Sequence, residues 1–83
     1  MERQSRKRLS AVLEGKRCAV RQLHGGHDFL NRMSALGFTI GVEVVVIQNY
    51  GRGPLIAMVR GTRVALGRGE AMKVWVEEIN DDQ

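Results

Sequence analysis

GVEVVVIQNYGRGPLIAMVRGTRVALG, residues 41–67, decides the fold. Three short apolar runs are separated by glycine-rich corners, and each run is too short for a stable helix. Residues 42–50 form the longest run, and its continuous Val44-Val45-Val46-Ile47 centre predicts a strand buried on both faces. Gly51-Arg52-Gly53 turns the chain, and in residues 54–60 Leu55, Ala57 and Val59 alternate with Ile56 and Met58. Gly61-Thr62 is expected to make a two-residue type II′ hairpin turn, with glycine first. Residues 63–66 then return with Val64 and Leu66 inward.

The same punctuation extends outward in both directions. Residues 17–23 put Cys18 and Val20 on one face and end at Gly25-Gly26. Beyond the corner at 67–71, residues 72–79 alternate Met72, Val74 and Val76 with Lys73, Trp75 and Glu77. Between the first two strands lies a helical pattern, residues 27–36. Phe29, Leu30, Met33 and Leu36 make one apolar stripe, Asp28 is placed to cap the start, and Gly37 suits the left-handed position past the end. About ten residues of helix are not stable alone in water, so this one must dock on the sheet. Five short strands and one short helix predict a mainly β chain folded as a small five-stranded barrel. Closing the sheet also removes exposed strand edges.

With 83 residues and 43% hydrophobic content, the chain has room for one domain. Cys18 is its only cysteine, which excludes a disulfide scaffold and a four-ligand zinc fold; stability must come from apolar packing and backbone pairing. No apolar run approaches the roughly 18 residues of a spanning helix. Residues 1–8 look like the charged start of a signal peptide, but the apolar stretch that follows is broken by Glu14, short of the about 7–15 residues required. A cytoplasmic chain is expected. Residues 1–8 are read as a flexible basic segment, 9–79 as the folded domain and 80–83 as a flexible acidic tail.

The net charge of +4 and the pI near 10.0 suggest nucleic acid or a membrane surface at first. The distribution weakens that suggestion: a basic head, a mildly basic middle, and an acidic end at Glu77, Glu78, Asp81 and Asp82. A small barrel that binds single strands needs aromatic platforms on a basic groove. Phe29 and Phe38 are expected in the core, leaving only Tyr50 and Trp75. A small nucleic-acid-binding barrel therefore stands as the alternative function, and no nucleic acid is expected as the principal partner.

Catalytic chemistry has no foothold. The hydroxyls are Ser5, Ser10, Ser34, Thr39 and Thr62, none in a nucleophile elbow, and Cys18 alternates into the core with a thiol that should titrate high. Gly51-Arg52-Gly53 and Gly67-Arg68-Gly69 lack the lysine and following helix of a P-loop, so they are turns. His24 and His27 are weak candidates for a metal, since they flank a Gly-Gly turn where exposed polar residues are expected anyway. No enzyme and no cofactor are expected. What stands out is an outward Trp75 and a second apolar strip at Ile56 and Met58; with Arg32 and Tyr50 these are the candidate partner-binding residues.

Arg32-Met33-Ser34-Ala35-Leu36-Gly37-Phe38 followed by Gly41 resembles the R-[LM]-x-x-[LM]-G-[FIL]-x-x-G segment of FeoA-family domains. Gly53-Pro54-Leu55, Gly61, Val64-Ala65-Leu66-Gly67 and Ala71-Met72-Lys73-Val74-Trp75-Val76 resemble the family's later stations, in order over residues 9–76. The resemblance implies an SH3-like barrel in the bacterial cytoplasm. It implies an accessory role in ferrous iron uptake, by binding and regulating the FeoB-type membrane transporter. The same module ends DtxR-type regulators, so a stand-alone regulator-type domain is a further alternative. The family supplies no metal motif matching His24 or His27, and the basic head lies outside the resemblance.

Overall fold

The computed structural model describes residues 5–80. Its elements in chain order are β1 (Arg6–Arg8), a 3-10 turn (Leu9–Ala11), β2 (Arg17–Leu23), α1 (His27–Ala35), β3 (Glu43–Gln48), β4 (Leu55–Val59), β5 (Thr62–Leu66), α2 (Arg68–Ala71) and β6 (Val74–Glu78). The strands form one sheet in the order β1-β6-β2-β3-β4-β5, with every pair antiparallel. Its inner face carries Cys18, Val20, Val44, Val46, Leu55, Ala57, Val59, Val64, Leu66, Val74 and Val76, all buried. Leu9 and Val12, Met33, Phe38 and Ala71 complete a single core. Each fully buried Val or Leu contributes about 1.5–3 kcal/mol, and no buried polar side-chain atom among the described residues lacks a hydrogen bond.

The mainly β architecture expected from the alternation is present, and the inward residues of β2, β4 and β5 are those read from the sequence. The described residues form six strands rather than five. The extra one, β1, falls in the segment read as flexible: Arg6, Lys7 and Arg8 pair with Glu77, Val76 and Trp75 of β6. Arg6 meets Glu77 at 3.6 Å and Lys7 meets Glu78 at 3.1 Å. Three consecutive cations have no apolar alternation, so only the partner strand identifies this strand. The flexibility read for residues 1–4 and 81–83 lies outside the described residues.

The chain corners differ more. The pairing of Val59 with Thr62 makes Arg60-Gly61 the hairpin turn, not Gly61-Thr62. Both turn residues have positive φ, 52° and 78°, which is the type I′ form whose twist suits a hairpin. Arg60 is the only non-glycine residue with positive φ among those described. Residues 68–71 form a helical turn that leaves Met72 45% exposed, so the inward set of the last strand begins at Val74. In β3 the buried residues are Val44 and Val46 alone. Alternation points Val45 and Ile47 to the outer face, where Val45 is half-buried and Ile47 is exposed beside a register shift between Val46 and Gln48, so burial on both faces fails there.

Helix α1 buries Met33, while Phe29 and Leu36 are partly buried and Leu30 is exposed. Gly26, not Asp28, is the N-cap, and Asp28 lies in the first turn where its charge favours the helix dipole. Gly37 ends the helix at φ 97°, as expected from the sequence, and the Phe38 N–H donates back to the Met33 carbonyl at 2.8 Å. Before the helix, the Phe29 ring packs over Gly25 so closely that a Cβ there would lie 2.3 Å from it.

Candidate interaction groove

On the outer face of β6, Trp75 pairs across the sheet with Arg8 of β1 on one side and Gln22 of β2 on the other. The Arg8 guanidinium lies 5.0 Å from the Trp75 ring centroid, within cation–π range. His24 meets the same ring edge-on at 6.3 Å, with an interplanar angle of 76°. Trp75 is therefore half-buried, with a cation over it and an imidazole at its edge. It forms the floor of an open groove of about 510 Å³, together with Arg8, Ser10, Ala11, Gly51, Arg68 and Met72.

The far wall of this groove is built by a polar lattice absent from the sequence-based expectation. The Asn49 amide donates to the carbonyls of Ser10 at 2.9 Å and Val12 at 2.8 Å. Its Oδ1 accepts from the Gly51 N–H and from Arg68, both at 3.0 Å. Arg68 also donates to the carbonyls of Gly53 at 3.0 Å and Ser10 at 3.3 Å. The backbone N–H of Asn49 is taken by Glu14 at 2.8 Å. Two side chains thus hold the 3-10 turn, the β3–β4 loop and the start of α2 together. Their acceptors are mostly main-chain carbonyls, which carry no residue signature. That is why the sequence showed only a glycine-flanked arginine at Arg68.

Charge on the rest of this face is matched. Glu77 accepts from Arg21 at 3.0 Å and also faces Arg6. Glu70 is bound by Arg32 through two guanidinium nitrogens, Nε and Nη2, the latter at 3.3 Å. The same carboxylate accepts from the Gly67 N–H at 3.0 Å, which caps α2. The Arg32 guanidinium, by its hydrogen bond first, holds the Glu70 carboxyl below the usual carboxylate range.

The structure separates the candidate residues named from the sequence. Trp75 lines the groove, and Tyr50, 71% exposed, adjoins it next to Gly51. Arg32 is committed to Glu70, so it ties α1 to α2. Ile56 and Met58 face outward on β4, half-buried, and Met58 pairs with Val45; a smaller hollow of about 340 Å³ is lined by Met58 and Val45 with Glu43 and Arg60. His24 stands against Trp75, and His27 opens α1, exposed. Among the described residues, no three His, Cys, Asp or Glu side chains are grouped to hold a metal ion.

Cys18 is fully buried and its thiol donates to the Val44 carbonyl at 3.6 Å. Burial foremost, with Glu78 and Glu43 adding to it, pushes this thiol up to about 12. A thiol in that state is a packing group, not a nucleophile. No helix among the described residues is long and apolar enough to cross a membrane.

Comparison with known proteins agrees with this architecture. A 36% identical protein of Methanocaldococcus jannaschii, named Fe(2+) transport protein A, aligns over 70 residues, 84% of each chain. The crystal structure of an iron uptake regulatory protein, FeoA, superposes with a TM-score of 0.86 at 31% identity, covering 90% of this chain and all of that one. The zinc complex of Stenotrophomonas maltophilia FeoA, described as a procaryotic SH3 domain protein, gives a TM-score of 0.73 at 31% identity over 83% of this chain and 87% of that one. The fold is accordingly an SH3-like barrel. With the FeoA domain model matching residues 7–78 as well, the chain belongs to the FeoA family.

Proposed function

We propose that this chain is a cytoplasmic accessory protein of ferrous iron transport that binds and regulates a FeoB-type membrane transporter through protein contacts, with no catalytic chemistry of its own. The observation that carries the reading is Trp75, a large aromatic side chain held outward in a groove on a chain of the FeoA family. Tryptophan and arginine are both among the residue types enriched where binding energy concentrates at protein interfaces. Relatives bearing the names Fe(2+) transport protein A and iron uptake regulatory protein supply the iron context. The buried thiol of Cys18 supports a non-catalytic role, because its nucleophilic form is suppressed at neutral pH.

The test is co-purification of the tagged chain with the cytoplasmic part of the transporter, followed by titration. The wild-type chain is expected to be retained, and Trp75→Ala is expected to weaken binding at least about tenfold, the scale of a hot-spot residue. Failure of the wild-type chain to bind the transporter's cytoplasmic part sinks the reading.

A further inference from the structure

Resting on the transporter reading, we propose that the groove floored by Trp75 is the docking site for an acidic segment of the partner that carries an apolar side chain. Trp75, Met72 and Ala11 offer adjoining apolar surface, and about 510 Å³ accommodates one or two side chains of a bound segment.

The charged half comes from the described cations of β1, β2 and α1, of which all but Arg8 have a carboxylate partner. Arg6 and Arg21 share Glu77, Lys7 has Glu78, and Arg32 has Glu70. Arg8, by contrast, has the Trp75 ring as its contact, and no acidic residue among those described lines the groove. Arg68 adds a second positive charge there. Three of its five N–H donors are engaged by Gly53, Ser10 and Asn49, which fixes the guanidinium in place and leaves it contributing mainly field. A carboxylate entering beside Arg8 therefore meets one guanidinium with free donors and a second cation behind it. It would do so at the rim of an apolar floor, where a charged pair is less screened than in open water.

The same facts weigh against a nucleic-acid strand. A strand needs several free donors along its phosphates and several open stacking faces. Here three of one arginine's five donors are already engaged, and the one tryptophan has a cation over its ring.

Trp75 is the only tryptophan of the chain, so its fluorescence reports the groove itself. The full chain is titrated with three probes at low and physiological salt: a peptide of alternating Glu and Leu, its Lys/Leu counterpart, and an oligothymidylate. A saturable change in Trp75 emission with the Glu/Leu peptide alone is expected, weakening as salt rises and weakening about tenfold in Arg8→Glu. Met72→Glu, at an exposed position, should have the same effect; retention of the wild-type melting temperature in both variants shows that they fold. Equal response to the Lys/Leu peptide, tighter binding of oligothymidylate, or unchanged affinity in Arg8→Glu overturns the proposal.

Repeating the titration with the transporter's cytoplasmic part separates the two claims. If the transporter binds wild type and both variants equally, the groove proposal fails and the transporter reading stands. If the Glu/Leu peptide binds at Trp75 and the transporter does not, the groove stands and the transporter reading fails.

Discussion

The outer face of β6 and the outer face of β4 both present apolar side chains to solvent, yet they are framed differently. Around Trp75 the surface is concave, its wall is braced by Asn49 and Arg68, and Arg8 stands without a carboxylate. Around Ile56 and Met58 the surface is an ordinary strand face, lying in register with Val45 of β3 and with Arg63 and Ala65 of β5. Beside it Arg17 pairs with Glu43 at 2.7 Å, and Arg60 reaches the Thr39 hydroxyl at 3.4 Å. Alternation makes an outward apolar strip on almost any half-buried strand. A guanidinium lying against an outward indole, and a wall braced by Asn49 and Arg68, are what distinguish the first face from the second.

The comparison can be broken most severely at Asn49. Asn49→Ala removes four hydrogen bonds that brace the groove and leaves the β4 face untouched. A loss of about 2–3 kcal/mol is expected, at close to 1 kcal/mol per bond with partial compensation by water. That corresponds to a fall of roughly 10–20 °C in melting temperature, with a shift in Trp75 emission. A melting temperature within a degree or two of wild type would show that the lattice is incidental.

Gly25→Ala tests the approach to the same face from the helix side. The added Cβ must displace the Phe29 ring, over which Lys73 lies at 5.2 Å. A cost of about 1–3 kcal/mol is expected in denaturant unfolding, as for other overpacked sites.

The core behind both faces is shared, and Cys18 probes it without touching either. Its folded value near 12 lies above the about 8.5 of an exposed thiol, so the stability it contributes is complete below the unfolded value and is lost as pH rises toward the folded one. Stability should decline between about pH 8.5 and 12 by up to about 1.4 kcal/mol per unit more in wild type than in Cys18→Ala. Alkylation at neutral pH should wait for unfolding.

The smallest effect concerns Glu70, whose folded carboxyl titrates below its ordinary value. The contribution of its pair with Arg32 is present above the unfolded value and lost as pH falls through the folded one. Because the pair is exposed, Glu70→Gln should change acid unfolding only slightly and leave groove binding intact.

Much of this fold was legible because alternation reports burial directly. The strand Arg17–Leu23 has the bounds read from the sequence, and Leu55, Ala57 and Val59 face inward as their spacing requires. Three features were hidden, each for a physical reason. The cations of β1 form a strand only because Glu77 and Val76 pair with them. The hairpin turn moved by one residue because Arg60 accepts positive φ, a cost that sequence patterns assign to glycine. The lattice of Asn49 and Arg68 binds main-chain carbonyls, so nothing in its partners' identities announces it. Trp75 was visible as an outward aromatic residue, but the Arg8 cation above it and the wall beside it exist only in three dimensions.

The most direct measurement of the central claim is amide and indole chemical-shift mapping of the isotope-labelled chain as the transporter's cytoplasmic part is added. The account predicts shifts concentrated at Arg8, Ala11, Gly51, Met72 and the Trp75 indole, with Val45, Ile56 and Met58 unmoved. Shifts confined to Val45, Ile56 and Met58, with the Trp75 indole unchanged, would contradict it.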